Sequence, residues 1–208
     1  LELKTNYSKK LNNGIFKYLG RITKSKLATS ESDIGSNFNL ENNNRFVLST
    51  YRGEINKTTR IQLGFSYSDN EDDAKITFTD SQPFLIPSYD DLLQFRSVLI
   101  KDMFTKSKMK LGYHVFDQNS KFTYYNCLVD VESICLIFDS KDIIVNELLQ
   151  ATFAELDLKI SKKFAINTGV RFEDSKLLNK RSKSPRFSSA VKLGRKSQIS
   201  YAYGDFYQ

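Results

Sequence analysis

The sequence predicts an all-β fold: part of an antiparallel up-and-down transmembrane β-barrel with about ten strands, short periplasmic turns and long extracellular loops. Three observations lead to this prediction. Apolar and polar residues alternate along most segments, the connectors alternate between short and long, and no run approaches the roughly 18 apolar residues of a membrane-spanning helix. A soluble sheet has no reason to keep its short turns at one end, whereas a barrel in an outer membrane does.

The alternation is clearest in residues 61–68, where the odd positions are Ile, Leu, Phe and Tyr and the even positions are Gln, Gly, Ser and Ser. Each such strand has one apolar and one polar face. In a barrel, the apolar face meets lipid and the polar face lines the lumen. The predicted strands lie near 1–8, 14–24, 45–54, 60–69, 91–104, 109–117, 149–160, 163–174, 185–193 and 197–207.

The connectors support the same arrangement. The short ones read KKLNN, INKTT, TKSK, SKK and GRKS, and each contains lysine. The long ones are predicted around 25–44, 70–90 and 118–148, with a more modest one at 175–184. Residues of low strand propensity occur in or beside the long connectors: Asn42 to Asn44, DNEDD at 69–73, Pro83 and Pro87.

Two of these motifs allow a specific interpretation. We expect DNEDD to be a solvated turn rather than a calcium site, because EF-hand spacing is absent. We expect Pro185, in Ser184-Pro185-Arg186, to mark the passage from a loop into a strand, because proline lacks an N–H and tolerates the first strand position. After it, Phe187, Ser189, Val191 and Leu193 are predicted to face lipid, as are Ile199, Tyr201 and Tyr203 beyond the turn at 194–197.

Composition disfavours several other classes of protein. The net charge is +7 and the pI is about 9.2, but the 31 basic residues are scattered and match no nucleic-acid-binding motif, so we expect no nucleic-acid partner. Cys127 and Cys135 could form a disulfide across a loop or remain two thiols. Two cysteines and one histidine without ligand spacing predict no zinc site, and we expect no metal and no cofactor.

The C-terminal part of the sequence resembles a known family. Ala151–Gln208 contains Phe153-Ala154-Glu155, then Gly169 and Arg171 in a strand that ends in acidic residues, then Ser184-Pro185-Arg186 and the closing AYGDFYQ. This order resembles the barrel of TonB-dependent outer-membrane receptors, most closely those of Bacteroidetes-type bacteria. Weaker similarity extends back through SYSDNEDD to LELKT at the start.

The resemblance implies a barrel of about 22 strands with an N-terminal plug in its lumen. Residues 1–208 would be a fragment of that barrel without the plug, and both ends interrupt a strand-like pattern. The implied function is TonB-energised uptake of a siderophore, vitamin, glycan or peptide across the cell outer membrane. The implied partners are outer-membrane lipid, a small extracellular ligand and the TonB complex acting through the plug. Nothing in the sequence predicts an enzyme.

The polar faces supply candidates for contact with a ligand. Arg171 and Glu173 are predicted on the lumen face near the 175–184 loop, and His114 on the lumen face of its own strand. For Arg171 and Glu173 we favour charge pairing with neighbours such as Glu155 and Asp157 over ligand contact, because opposed charges across strands are common. For His114 we favour a hydrogen-bonded lumenal side chain, because no catalytic partner lies near it in the sequence.

Two alternatives remain open on the sequence alone. A soluble or surface-attached β-sandwich for adhesion or carbohydrate binding would bury the apolar faces against a second sheet. Segments 14–24 and 45–54 are ambiguous in this respect, because Lys17, Arg21 and Arg52 lie among their apolar residues. A porin-like passive barrel without a plug is the other alternative.

Overall fold

All ten strands belong to one antiparallel sheet, in which each strand pairs with its neighbours in the chain. The computed structural model describes residues 1–31, 36–78, 84–104, 107–129, 135–194 and 197–205, without the side chains of residues 31, 78, 84, 124–129 and 135–139. The strands are β1 (Glu2–Leu11), β2 (Gly14–Glu31), β3 (Ser36–Asn56), β4 (Thr59–Phe78), β5 (Phe84–Asp102), β6 (Lys108–Val129), β7 (Cys135–Lys159), β8 (Phe164–Ser175), β9 (Lys180–Lys192) and β10 (Gln198–Gly204).

This up-and-down order confirms the predicted fold class. A β-sandwich needs a second sheet packed on the first, and the described residues form a single sheet, so the sandwich alternative does not fit. No helix in the described part of the chain is long and apolar enough to cross a membrane. The side chains of Cys127 and Cys135 lie outside those the structure describes, and their predicted pairing stays open.

The five connections that the sequence predicts to be short lie at one end of the sheet, here called the turn end. They join β1 to β2, β3 to β4, β5 to β6, β7 to β8 and β9 to β10, as predicted. Two of them are held by short side chains of their own. Asn56 Oδ1 accepts from the backbone N–H of Thr58 at 3.0 Å, and Ser161 Oγ accepts from the N–H groups of Lys163 and Phe164 at 3.1 and 3.0 Å. Hydrogen bonds from the backbone to short polar side chains are sufficient to stabilise such turns.

At the opposite end, here called the hairpin end, the predicted long loops are largely strand. β2 and β3 stay paired from Gly14 up to Glu31, and β6 and β7 stay paired up to Val129. The prediction that DNEDD is a turn is therefore wrong: residues 69–73 lie inside β4, paired with β3 and β5. Pro87 lies inside β5, whereas Pro83 is outside the described residues.

Cross-strand amides explain why this polar region is strand. Asn42 on β3 donates from Nδ2 to Asn70 Oδ1 at 2.8 Å and to Asp72 Oδ1 at 2.6 Å on β4. Asn70 Nδ2 in turn donates to Asp72 Oδ2 at 2.8 Å. The amides supply donors to the carboxylate, so residues that usually favour turns are held in the ladder by one another.

The last hairpin at this end is much shorter. Ser175 ends β8 and Lys180 begins β9, leaving four residues for the turn, and Asn179 there has a φ of 46°. Pro185 consequently lies inside β9 rather than at its start, which corrects the expected loop-to-strand boundary. The carbonyl of Pro185 accepts from the N–H of Asp205 at 3.2 Å. In an antiparallel sheet, a residue that accepts in this way normally donates its own N–H to the same partner residue. Pro185 has no N–H, so this second bond is absent at the end of β10.

The two faces of the sheet differ sharply. The outer face is defined by the row Phe65, Phe95 and Val115, which pair across β4, β5 and β6. The rows of Ile61 and Leu63 carry no charged side chain from β2 to β8. On β9 and β10, this apolar band continues closer to the turn end through Phe187, Val191, Ile199, Tyr201 and Tyr203. A band that shifts along successive strands is what tilted barrel strands produce.

Tyrosines on the outer face cover glycines. The Tyr51 ring lies over Gly53 and over Gly14 on the neighbouring strand, where a Cβ would come within 2.8 Å of Tyr51 Cε2. Tyr18 lies over Gly20 in the same manner, with its hydroxyl 2.9 Å from the position of a Cβ. Glycine lets these rings lie flat on the backbone, which smooths the apolar surface.

Candidate functional site

The candidate site is the inner face of the sheet, defined by the row Arg96, His114, Ala151 and Glu173 across β5 to β8. Small side chains on this face are enclosed by their neighbours: Ala151 is 1% exposed and Ser184 2%. Large outer-face side chains are far more open, with Phe65 40% exposed. This difference indicates that the sheet curls toward its inner face, as the wall of a barrel does.

Arg171, Glu173 and His114, the three residues predicted on the lumen face, form one cluster. Arg171 Nε donates to Glu173 Oε1 at 2.6 Å, and Arg171 Nη1 lies 3.1 Å from His114 Nδ1. Arginine nitrogens only donate, so His114 Nδ1 accepts and the imidazole proton lies on Nε2. Glu173 Oε2 also accepts from Ser182 Oγ at 3.5 Å. The arrangement holds the guanidinium between an acid and a neutral imidazole.

Aromatic rings fix the orientation of His114. Phe153 approaches it edge-on with ring centroids 5.2 Å apart, and Phe116 does so at 6.4 Å. The Phe153 ring lies directly over Gly112, the position opposite it on β6, where no side chain competes for the space. Nε2 of His114 is buried and has no hydrogen-bond partner among the described residues. The His114 imidazole is therefore held in place within the wall of the sheet and is not an exposed base.

A second charge cluster lies closer to the turn end. Lys110 on β6 pairs with Asp157 Oδ2 at 2.8 Å and with Glu155 Oε2 at 3.5 Å on β7. Asn167 on β8 donates to the same Asp157 carboxylate. Glu155 and Asp157 were the expected partners of Arg171, and that expectation is wrong. Arg171 lies opposite Phe153 in the register, so the acid within its reach is Glu173 on its own strand.

The residues that made β2 and β3 ambiguous also lie on the inner face. Lys17 pairs across with Thr50, Arg21 with Phe46, and Arg52 with Ile15, all in inner-face rows. Their positions explain the irregular pattern of segments 14–24 and 45–54: the lysine and the arginines face the lumen side, while Phe16 and Tyr18 face outward. The sequence alternation contains this signal, but inner-face Ile15 and Leu19 obscured it.

Comparison with known proteins bears on the fold. Over 98% of its length, the chain superposes on the outer membrane transporter YddB from Escherichia coli with a TM-score of 0.74 and 12% sequence identity. The fold is that of an outer-membrane barrel wall. The chain spans 31% of that transporter's own length. At this identity, the likeness concerns the fold and not the ligand.

Other solved structures are less similar. The siderophore receptor PirA from Pseudomonas aeruginosa gives a TM-score of 0.40 at 10% identity, over 96% of this chain and 41% of that one. The β domain of the Bordetella autotransporter BrkA gives 0.41 at 10% identity, over 98% and 82%. No protein-family model matches the sequence, and no curated protein matches it. The transporter YddB is an outer-membrane protein by its description, in agreement with the location predicted from the sequence.

Within the described ranges, no three or more histidine, cysteine, aspartate or glutamate side chains are grouped so that they could hold a metal ion. Two carboxylates of the DNEDD segment have partners of another kind: Asp72 accepts from the amides of Asn42 and Asn70, and Asp69 lies 3.8 Å from Arg45 Nε. What the inner face offers a solute is charge and hydrogen-bonding groups.

Proposed function

We propose that this chain is part of the barrel of an outer-membrane receptor that takes up a nutrient with energy from the TonB system. The observation that carries the proposal is the ten-strand wall itself: an apolar outer face with two uncharged rows, and an inner face of positioned charges. The order of motifs in Ala151–Gln208, which resembles TonB-dependent receptors, supports the finer part. The location we propose is the cell outer membrane.

In this function the chain binds and guides a solute and does not catalyse a reaction. The Arg171, Glu173 and His114 cluster is satisfied internally, apart from His114 Nε2, so it acts mainly to fix the wall. A plug elsewhere in the protein would close the lumen at rest, and TonB would act on that plug. The tall hairpins would collect the ligand outside the cell, since loops and rims of such barrels are the parts that meet extracellular solutes.

The test uses the full parent gene. Cells that express it are fractionated, and the protein is run on gels with and without boiling, because a folded barrel migrates differently from its unfolded chain. Uptake of labelled ferric siderophores, cobalamin, maltodextrins and dipeptides is then compared between cells with and without TonB. We expect outer-membrane recovery, heat-dependent mobility and TonB-dependent uptake of one of these solutes.

Each outcome has a distinct meaning. Recovery as a soluble protein would contradict the barrel. Uptake of every solute at equal rates in both strains, together with steady conductance in planar bilayers, would replace the receptor with a passive porin-like barrel. Deletion of the gene serves as the matched control for solutes that enter by other routes.

A further inference from the structure

Six cations lie on the inner face of β1 to β5 between the row of Lys10 and the row of Lys4. They are Lys4 and Lys10 on β1, Lys17 and Arg21 on β2, Arg52 on β3 and Arg96 on β5. No aspartate or glutamate occupies an inner-face position from the row of Lys10 to the row of Lys4 on these five strands. All six side chains are exposed, and none forms a salt bridge with a described residue.

The register brings these cations close together. Ser8 lies opposite Lys17, so Lys10 is a diagonal neighbour of Lys17; Thr50 also lies opposite Lys17, so Arg52 is a diagonal neighbour on the other side. Diagonal pairs in an antiparallel sheet are about 7–8 Å apart. Lys4 and Arg21 lie directly opposite each other, and like charges in that position are destabilising. The sheet therefore holds positively charged side chains close together, and a bound anion would reduce the repulsion between them.

Space for such an anion exists on the same surface. A hollow of about 410 Å³ is lined by Asn6, Ser8, Lys17, Leu19, Leu48 and Thr50, together with Tyr7 and Tyr18. Leu19 and Leu48 separate the Lys10, Lys17 and Arg52 group from the Lys4 and Arg21 pair along the strands. On β4, next to β3, Gly64 adds no side chain to the inner face, and a Cβ there would meet only Arg96 Cβ, at 3.9 Å. Arg21 is held 5.9 Å over the Phe46 ring, which presents its guanidinium in a fixed direction.

These six cations differ from those on β6 to β8 in lacking carboxylate partners. On β6 to β8, Lys110 and Arg171 each have a carboxylate partner within 4 Å. The six cations between the row of Lys10 and the row of Lys4 have none, and low-dielectric walls concentrate their field. We infer that the inner face of β1 to β3, together with Arg96 on β5, binds a small organic solute that carries two or more carboxylate or phosphate groups. This inference rests on the proposed function, which makes the lumen a path for solutes.

The experiment measures citrate binding to the full parent protein, purified from outer membranes in detergent, by titration calorimetry. The variant is Lys10→Gln, Lys17→Gln and Arg52→Gln combined. The matched control removes the same charge elsewhere, through Lys9→Gln on the outer face and Lys162→Gln and Lys163→Gln in a turn. Triethyl citrate, which is neutral, serves as the control ligand. Titrations at about 20 mM and about 200 mM salt probe screening, since the Debye length falls several-fold between them.

We expect citrate to bind wild type and control alike, to bind at least tenfold more weakly to the triple variant, and to weaken with salt. The charge-preserving variant Lys17→Arg with Arg52→Lys is expected to retain binding, and heat-dependent gel mobility verifies that each variant is folded. Equal binding to the triple variant and the control overturns the inference.

The two proposals fail separately. A protein found in the outer membrane that binds no citrate overturns the anion site and leaves the receptor function standing. A protein absent from the outer membrane overturns the receptor function, whatever it binds.

Discussion

Arg171 on β8 reaches His114 on β6 across the strand between them, with Nη1 3.1 Å from Nδ1. The intervening strand contributes Ala151 at the crossing, directly opposite both His114 and Glu173 and only 1% exposed. A methyl group at this position leaves the guanidinium room to pass, and its enclosure shows that no spare volume remains. The contact between β6 and β8 therefore depends on the size of one β7 side chain.

Replacement of Ala151 by leucine is expected to separate Arg171 from His114 and to destabilise the folded barrel by about 1–3 kcal/mol, because the site has no room for three more carbons. Urea unfolding of the full protein in lipid vesicles, followed by gel mobility, measures the change. The neighbouring Thr152→Leu faces outward and is the control, with little expected effect. Equal stability of the two variants would contradict the packing described here.

Gly112→Ala tests the position of Phe153. A Cβ on Gly112 overlaps with the Phe153 ring, which must move away from its edge-on contact with His114. We expect a loss of about 1–3 kcal/mol in unfolding free energy. Gly64→Ala, on the same face, meets only Arg96 Cβ at 3.9 Å and is expected to be neutral. The same urea series measures both variants, and a neutral Gly112→Ala would show that the ring does not rest there.

The assignment of faces is tested by arginine at two positions of β4. Leu63 lies in an uncharged outer-face row, and Ser66 faces inward. Arginine on a lipid face near the bilayer midplane costs about 2–4 kcal/mol, so Leu63→Arg is expected to reduce stability by that amount. Ser66→Arg is expected to change it little. Reversal of this order would mean that the two faces are exchanged.

A pH effect is expected in the tall β6–β7 hairpin. Asp142 Oδ2 lies 2.8 Å from Lys121 Nζ, and Asp142 Oδ1 accepts from Thr123 Oγ1 at 2.9 Å. The bond from Lys121, and then the bond from Thr123, hold the pKa of Asp142 below its usual value. A lowered folded-state pKa stabilises the hairpin above the ordinary carboxyl pKa, and this contribution is lost as pH falls through the lowered value.

Carboxyl carbon NMR shifts of the full protein in micelles report this titration directly. Lys121→Met is expected to raise the pKa of Asp142, because the charged donor is removed. Lys162→Met, in a turn at the other end, is expected to leave it where it is. A titration of Asp142 that does not respond to Lys121→Met would show that the two side chains do not meet.

The strands and the turn end could be predicted because alternation and lysine-containing short turns are local signals. The tall hairpins could not, because Asn42, Asn70 and Asp72 each favour turns and are held in strands by one another across the ladder. The pairing of Arg171 with His114 was also out of reach, since the two are 57 residues apart and meet only through the register of three strands. Register likewise decided that Glu155 and Asp157 pair with Lys110.

The hairpins of this wall differ in height, and the one between β8 and β9 is the shortest. β8 stops at Ser175, opposite Leu149, while β7 continues beside β6 through residues 135–148. A solute that approaches over the turn at 176–179 reaches the inner face directly, close to Glu173 and Ser182. One that arrives over β6 and β7 must first descend the whole length of their extension. Within this wall, the shortest path from the hairpin end to His114 therefore crosses the β8–β9 hairpin, and the taller hairpins rise beside it.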